Sequence, residues 1–344
     1  MDVRGKKVAV VGFGKSGQSA VRLLLVRGAN VVVSETRVKE ELPPSMVSSF
    51  EVQGVEFETG YHREETLKRA DLVVVSPGVP QEVYLPALRA GVPVISELEL
   101  SWSYLSEKER KSTVAITGTN GKTTTTAMIS DLFKFAGKKV FTGGNYGIPL
   151  SDYVLSNIKV DVIVLEVSSF QLERIETFAP RVGILLNITP DHLERYRDLK
   201  EYAYYKYRLF EKQGYDDFAI LAKDLPFYEN FKGLVKGEKR FFAEREEKDV
   251  SAYLKNGYAV IRVLGEEEIY PLHKFKLLGV HNRLNLLSAL LVGRIWSVSK
   301  EICQKLIDNF IGFPHRIEFV GTFGGVHFIN DSKATNVDAT LQAL

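Results

Sequence analysis

Short runs of β-branched and other apolar residues alternate with stretches of helical spacing through the first two thirds of the chain. The runs fall at residues 8–11, 31–33, 72–75, 93–95, 113–116, 161–165 and 181–186. Near-continuous apolar runs of this length fit strands covered on both faces, so the pattern predicts an α/β chain of mainly parallel sheets with crossover helices. The polar stretch 106–112 interrupts the series and predicts a domain boundary near 101–111. Alternation over 258–271, broken by Gly265, predicts an antiparallel hairpin, and helical spacing follows from about His281 to Trp296. Gly312-Phe313-Pro314 then punctuates the chain, and residues 316–320 and 325–330 read as two strands opening a third unit. The helical pattern starting near Asn336 meets no C-cap signal before Leu344, so a fuller C-terminal domain is expected to follow.

Composition narrows the class of ligand. A chain of 344 residues is long enough for two or three domains and for clefts between them. The formal charge of +2 is spread along the sequence, which argues against a nucleic-acid footprint or an anionic-membrane anchor and favours small charged ligands. The single cysteine, Cys303, excludes an intramolecular disulfide and reads as a small core hydrophobe. No signal peptide and no apolar stretch of membrane-spanning length is visible, so a cytoplasmic protein is expected; separately, a monomer is expected.

Two glycine-rich loops carry the candidate chemistry. Gly12-Phe13-Gly14-Lys15-Ser16-Gly17 follows a strand and opens a helix, a place where backbone approaches a pyrophosphate closely. By itself it fits NAD or FAD, with Glu35 as ribose acceptor, a phosphorylated sugar held with help from Thr36 and Arg37, or a plain tight turn. The second loop, Gly118-Thr119-Asn120-Gly121-Lys122-Thr123-Thr124, is the stronger signal. Its backbone N–H groups and helix N-terminus suit phosphate oxygens, Lys122 reaches the terminal phosphates of ATP, and the Thr123 hydroxyl suits Mg2+. Only two residues separate its glycines, against four in the common phosphate loop. Glu166 ends a strand where it can reach Mg2+ or form a structural ion pair. His192 reads more readily as a turn hydrogen-bonder than as a ligand, and Lys206, among tyrosines, as a snorkelling surface lysine.

Together the segments TGTNGKTTTT, LEVSSFQLE, NITPDHLERY, GVHNRLN, FPHRIEFV and NDSKATN resemble the Mur ligase family across the whole chain. LEVSSFQLE, GGNYGIP and NDSKATN resemble its D-glutamate-adding branch. The resemblance implies ATP-driven amide-bond formation through an acyl phosphate, with UDP-N-acetylmuramoyl-L-alanine and D-glutamate as substrates. It implies an N-terminal Rossmann-like domain over 1–101, a central P-loop-type ATPase domain over 102–312, and the start of a C-terminal Rossmann-like domain over 313–344.

The same resemblance reassigns residues. Thr123 and Glu166 become ligands of one Mg2+, and His192 a ligand of a second that also lies against substrate. Lys206 becomes a lysine carbamylated by CO2. Asn282 and Asn285 are expected to contact adenine, Arg316 the ATP phosphates and Asp331 the ribose, with Lys333 and Thr335 lining the reactive cleft. Lys15, Ser16, Thr36, Arg37 and Gly78 are expected to hold the UDP moiety, with Asn145 reaching it from the central domain. An L-alanine-adding relative, a dehydrogenase and a non-catalytic nucleotide-binding fragment are the competing readings.

Overall fold

The computed structural model describes residues 1–263, 265–334 and 340–341. Its contacts divide the chain into two units that interleave in sequence. The first comprises Met1–Arg110, Gly143–Lys159 and Ser168–Phe178; the second comprises Lys111–Thr142, Val160–Val167 and the described residues from Ala179 onward.

In the first unit, β1 (Lys7–Val11), β2 (Asn30–Glu35), β3 (Glu56–Thr59), β4 (Leu72–Val75) and β5 (Val94–Ser96) form a parallel sheet in the order β3-β2-β1-β4-β5. Val8 and Val10 point into one apolar cluster with Leu23, Leu24 and Val33, while Ala9 and Val11 point into another with Val73, Val75 and Tyr84. Burial of both faces is why β1 reads as an unbroken apolar run. The strand order reverses at β1, so the loops after β1 and β4 flank the crevice where such sheets take ligands.

Two buried carboxylates hold later segments of sequence in this unit. Both sit on the short helix Glu97–Trp102. Glu99 accepts hydrogen bonds from the N–H groups of Glu176, Thr177 and Phe178 at 3.0, 2.9 and 3.1 Å, and from the Thr177 hydroxyl. Glu97 accepts from Ser151 N–H at 2.7 Å and Ser101 Oγ at 3.0 Å.

The second unit is built on a sheet of nine strands: β6 (Thr113–Thr117), β7 (Val140–Gly144), β8 (Val162–Glu166), β9 (Val182–Leu185), β10 (Phe218–Ala222), β11 (Glu238–Phe242), β12 (Val250–Lys255), β13 (Tyr258–Val263) and β14 (Glu266–Pro271). The order is β14-β13-β12-β11-β10-β9-β6-β8-β7. β6 lies parallel between β8 and β9, and β13 pairs antiparallel with β12 and β14. Helices Lys122–Phe135 and Val280–Ile295 cover the sheet, burying Met128, Leu132, Leu287 and Leu290 against Ile116, Val164 and Ile184. Cys303 is fully buried beside Gly293, where an added Cβ would lie 3.1 Å from its sulfur.

The remaining strands, β15 (Glu318–Phe323) and β16 (Val326–Asn330), form an antiparallel pair. Of the helix expected from Asn336, only Thr340 and Leu341 fall among the described residues, and both are helical. Strands β3, β7, β10, β11 and β12 are absent from the expected runs: β3 and β7 are partly exposed sheet edges, and β11 and β12 carry charged or polar positions, but β10 is an interior apolar strand that the pattern reading missed. No helix among the described residues is long and apolar enough to cross a membrane.

Candidate functional site

The site in the second unit is assembled from the carboxyl ends of β6, β8 and β9, which lie side by side in the sheet. The loop after β6 enters the helix Lys122–Phe135 through Gly121, whose φ is +83°. That left-handed conformation suits glycine, and a Cβ there would lie 2.6 Å from Asn285 Oδ1. The first-turn N–H groups of a helix have no intrahelical acceptor and face the loop's concavity, which is the physical basis of an anion cradle.

Lys122 Nζ donates to the carbonyls of Gly118 and Thr119 at 2.9 and 2.7 Å. Burial pushes its ammonium down, against the pull of Glu166 and Asp191. Thr123 Oγ1 donates to Glu166 Oε2 at 2.8 Å and accepts from Arg316 Nη2 at 3.2 Å. Threonine hydroxyl and carboxylate are hard oxygen donors, which fits Mg2+ held by few protein ligands and completed by phosphate and water. Among the described residues no group of three or more His, Cys, Asp or Glu side chains forms a preformed metal cage.

Lys206, on the helix Leu199–Tyr207, is only 1% exposed, so the snorkelling surface reading is wrong. Its Nζ donates to Gly118 O at 2.9 Å and sits 4.4 Å from the centre of the Tyr202 ring. Burial first, and then the neighbouring Lys122 charge, push its pKa well below that of an ordinary lysine, while Asp191 opposes them. His192 has φ +53°, and its ring lies within 3.6 Å of Asp191 Oδ2, 3.5 Å of Glu194 Oε1 and 6.3 Å from the Tyr202 ring centre. A left-handed histidine is a strained choice, of the kind found where a side chain must be aimed.

A cavity of about 440 Å3 opens beside the loop, within the range of small-molecule sites. Asn120, Gly121, Thr124, Asn282, Asn285 and Arg316 line it, joined by Asp331 and Lys333. Asn282 and Asn285 are buried; Asn282 Nδ2 donates to Leu278 O at 2.8 Å. Asp331 accepts from Ile317 N–H at 3.1 Å, and the Lys333 N–H donates to His315 O. Thr335 lies outside the described residues.

In the first unit, Lys15 and Ser16 open the helix Lys15–Val26 after β1, Gly78 follows β4, and Thr36 and Arg37 follow β2. Gly17 is fixed by packing, since a Cβ there would fall 2.0 Å from Gly12 O. Glu35 accepts from Phe13 N–H at 2.7 Å, Arg37 N–H at 3.1 Å, Arg37 Nη2 at 2.9 Å and Thr36 Oγ1 at 3.2 Å. Burial alone would raise its pKa, but the Arg37 and Phe13 hydrogen bonds outweigh that and hold it at about 2. The carboxylate that a dinucleotide reading needs for ribose is thus engaged by its own loops. Asn145 belongs to the segment grouped with this unit, and Lys15 Nζ donates to Gly147 O in the same segment.

Two residues that the sequence reading passed over join the site. Asn187, just beyond β9, binds the Asn120 peptide through its carboxamide, and Tyr202 places its hydroxyl 3.3 Å from Thr119 Oγ1. Their signals were present: Asn187 follows an apolar strand end, and Tyr202 stands one helical turn before Lys206.

Residues 116–293 match the family described as Mur ligase middle domain, and residues 6–96 match the Mur ligase MurD-like, N-terminal domain. The chain is 41% identical over 347 residues to a protein of Koribacter versatilis named UDP-N-acetylmuramoylalanine--D-glutamate ligase, covering 100% of this chain and 76% of that one. A protein of the same name from Pelotomaculum thermopropionicum is 41% identical over 346 residues, covering 100% and 75%. Among solved structures, MurF from Acinetobacter baumannii superposes with a TM-score of 0.58 at 14% identity, covering 99% of this chain and 68% of that one. The MurF ligase of Thermotoga maritima in complex with ADP gives 0.57 at 18% identity, covering 99% and 71%. At such identities these two speak for the fold alone, whereas the sequence matches, which span all of this chain and about three quarters of each relative, speak for kinship. The chain belongs to the Mur ligase family, in the branch of the UDP-N-acetylmuramoylalanine--D-glutamate ligases.

Proposed function

We propose that this chain joins D-glutamate to UDP-N-acetylmuramoyl-L-alanine at the expense of ATP, a step in making peptidoglycan precursors. The carrying observation is the convergence of Lys122, Thr123, Glu166 and Lys206 on one loop, in a chain 41% identical to a ligase of that name. A carboxylate is a poor electrophile, so an oxygen of the alanyl carboxylate first attacks the terminal phosphorus of ATP and ADP leaves. The D-glutamate amine then attacks the acyl carbon; the C–O bond to phosphate breaks, phosphate leaves with the electron pair, and the nitrogen loses a proton.

Substrate carboxylate and ATP are both anions, and two unit charges about 4 Å apart repel by roughly 1 kcal/mol in water and about 4 kcal/mol at an effective dielectric near 20. The Lys122 ammonium and the first-turn N–H groups offset that repulsion at the terminal phosphates. Thr123 and Glu166 are the residues suited to hold Mg2+, which supplies further neutralisation of phosphate charge when bound. His192 is assigned to a second Mg2+ and the substrate.

Lys206 is assigned a carbamate. Only a neutral amine combines with CO2, and deep burial beside Lys122 favours the neutral form. The product is an anionic oxygen donor suited to a hard cation. Asn282 and Asn285 take adenine, Asp331 the ribose, Arg316 the phosphates, and Lys333 the reactive cleft. Lys15, Ser16, Thr36, Arg37, Gly78 and Asn145 take the UDP end. We assign the substrate role to 1–101, the ATP role to 102–312 and a third role to the unit that begins at 313.

The test is phosphate release from ATP with UDP-N-acetylmuramoyl-L-alanine, Mg2+ and bicarbonate, comparing D-glutamate, L-glutamate and no amino acid. Release that depends on D-glutamate supports the reading. UDP-substrate binding that is undetectable by calorimetry would sink the substrate assignment.

A further inference from the structure

The parallel ladder between β6 and β9 does not stop where the strands do. Leu186 N–H donates to Thr117 O at 3.0 Å and Thr119 N–H donates to Asn187 O at 3.1 Å, carrying the backbone pairing into the loop. The Asn187 side chain then takes over. Its Oδ1 accepts from Asn120 N–H at 2.8 Å and its Nδ2 donates to Asn120 O at 3.0 Å. A carboxamide presents one acceptor and one donor in a plane, as a peptide does, so Asn187 acts as a further strand residue made from a side chain.

Beyond it, Thr189 N–H donates to Thr119 Oγ1 at 3.0 Å, and that hydroxyl lies 3.2 Å from Thr189 O. Residues 119–120 are thereby held in register with residues 187–189, directly ahead of Asp191 and His192. Both backbone polar groups of Asn120 are engaged by Asn187. The anion-facing work of the loop therefore falls to Gly121 and the first turn of the helix, whose direction is set by the peptide immediately before them.

We infer that Asn187 is a positioning residue for ATP: it fixes the Asn120 peptide, and with it the turn at Gly121 that aims the helix N-terminus, Lys122 and Thr123 at the phosphates. This rests on the ligase reading for the identity of the nucleotide's use, but not for its binding. Neither Asn187→Ala nor Asn187→Asp can make the two-point contact. The aspartate keeps the shape and an acceptor, but loses the donor to Asn120 O and adds a negative charge beside the loop.

The experiment measures affinity for ATP with Mg2+ by calorimetry, affinity for UDP-N-acetylmuramoyl-L-alanine, both KM values, kcat and melting temperature, for wild type, N187A and N187D. The expected result is a rise of tenfold or more in Kd and KM for ATP in both variants, with the UDP-substrate constants within twofold of wild type. Unchanged ATP affinity would overturn the inference. So would equal losses for both ligands tracking a fall in melting temperature, or failure of both variants to fold, since each would make Asn187 a general structural residue. The affinity readout needs no turnover, so absence of D-glutamate-dependent phosphate release in wild type would count against the ligase reading and not against Asn187.

Discussion

Thr123 Oγ1 donates a hydrogen bond of 2.8 Å to Glu166 Oε2, tying the start of the phosphate-loop helix to the end of β8. Arg316, almost two hundred residues later, donates to the same hydroxyl at 3.2 Å. One hydroxyl thus joins three remote stretches of sequence at the place where Mg2+ is expected. Glu166→Gln preserves size and an acceptor while removing the charge. It should lower kcat by about 100-fold and raise the Mg2+ concentration needed for half-maximal rate. Phosphate release across a Mg2+ titration measures both, and an unaltered Mg2+ dependence would remove Glu166 from the metal site.

Gly121→Ala places a methyl group 2.6 Å from Asn285 Oδ1 on a backbone with φ +83°. A strain of about 1–3 kcal/mol follows unless the loop turns over, and either response disturbs the cradle. ATP affinity should fall at least about tenfold, the equivalent of 1.4 kcal/mol, while the UDP substrate binds as before. Calorimetry with each ligand separates the two effects.

Burial of Lys206 against Gly118 O predicts that wild-type turnover rises with added bicarbonate and that Lys206→Arg abolishes the response, because a guanidinium remains protonated. With 13C-bicarbonate, wild type should show a protein carbamate resonance that the variant lacks. Equal bicarbonate dependence in both would rule out the carbamate.

Glu35 is held at about 2 in the folded chain against an ordinary value of 4.5, so its carboxylate is more acidic folded than unfolded. The stability it contributes is fully present above about pH 4.5 and is lost progressively as pH falls toward 2. Glu35→Gln should cost about 1–3 kcal/mol at pH 7 and flatten the pH dependence of stability across that window. Urea unfolding at a series of pH values gives the comparison.

Glu99 accepts four hydrogen bonds from residues 176–178, and Glu99→Ala would orphan those donors inside the first unit. A loss of about 3 kcal/mol or more is expected. Trp102 donates its indole N–H to Thr177 O at 3.1 Å and so reports on the same contact. In a Trp296→Phe background, which leaves Trp102 as the remaining tryptophan, its fluorescence should show the urea midpoint moving down.

The apolar runs of β1, β4, β6 and β8 were legible because strands buried on both faces must be apolar throughout, and both glycine-rich loops were legible because they end such runs. Strands β3 and β7 were not, since an edge strand needs no continuous apolar sequence, and the interior apolar strand β10 was overlooked although its sequence, FAILA, carried the same signal. Lys206 was misread from its residues alone: a lysine among tyrosines looks solvated until the helix is packed against Gly118. Asn187 and Tyr202 were overlooked because an amide and a phenol carry no chemistry until a loop from another strand lies beside them.

What the sequence determined by itself was local: which runs form strands, which loop can wrap an anion, which branch of a family the motifs resemble. The strands and the anion loop follow from side-chain periodicity and backbone freedom within a few residues, whereas the family branch rests on the resemblance of the motifs alone. The tertiary structure decided which of the candidates share one site, because Thr123, Glu166, Asn187, Lys206 and Asn285 meet only after sheet order has set β6 between β8 and β9 and helices have closed over it. It also decided their chemistry. Whether the Lys206 amine tends to be neutral or Glu35 remains an anion depends on burial and on hydrogen-bond partners, and those are fixed by residues distant in sequence.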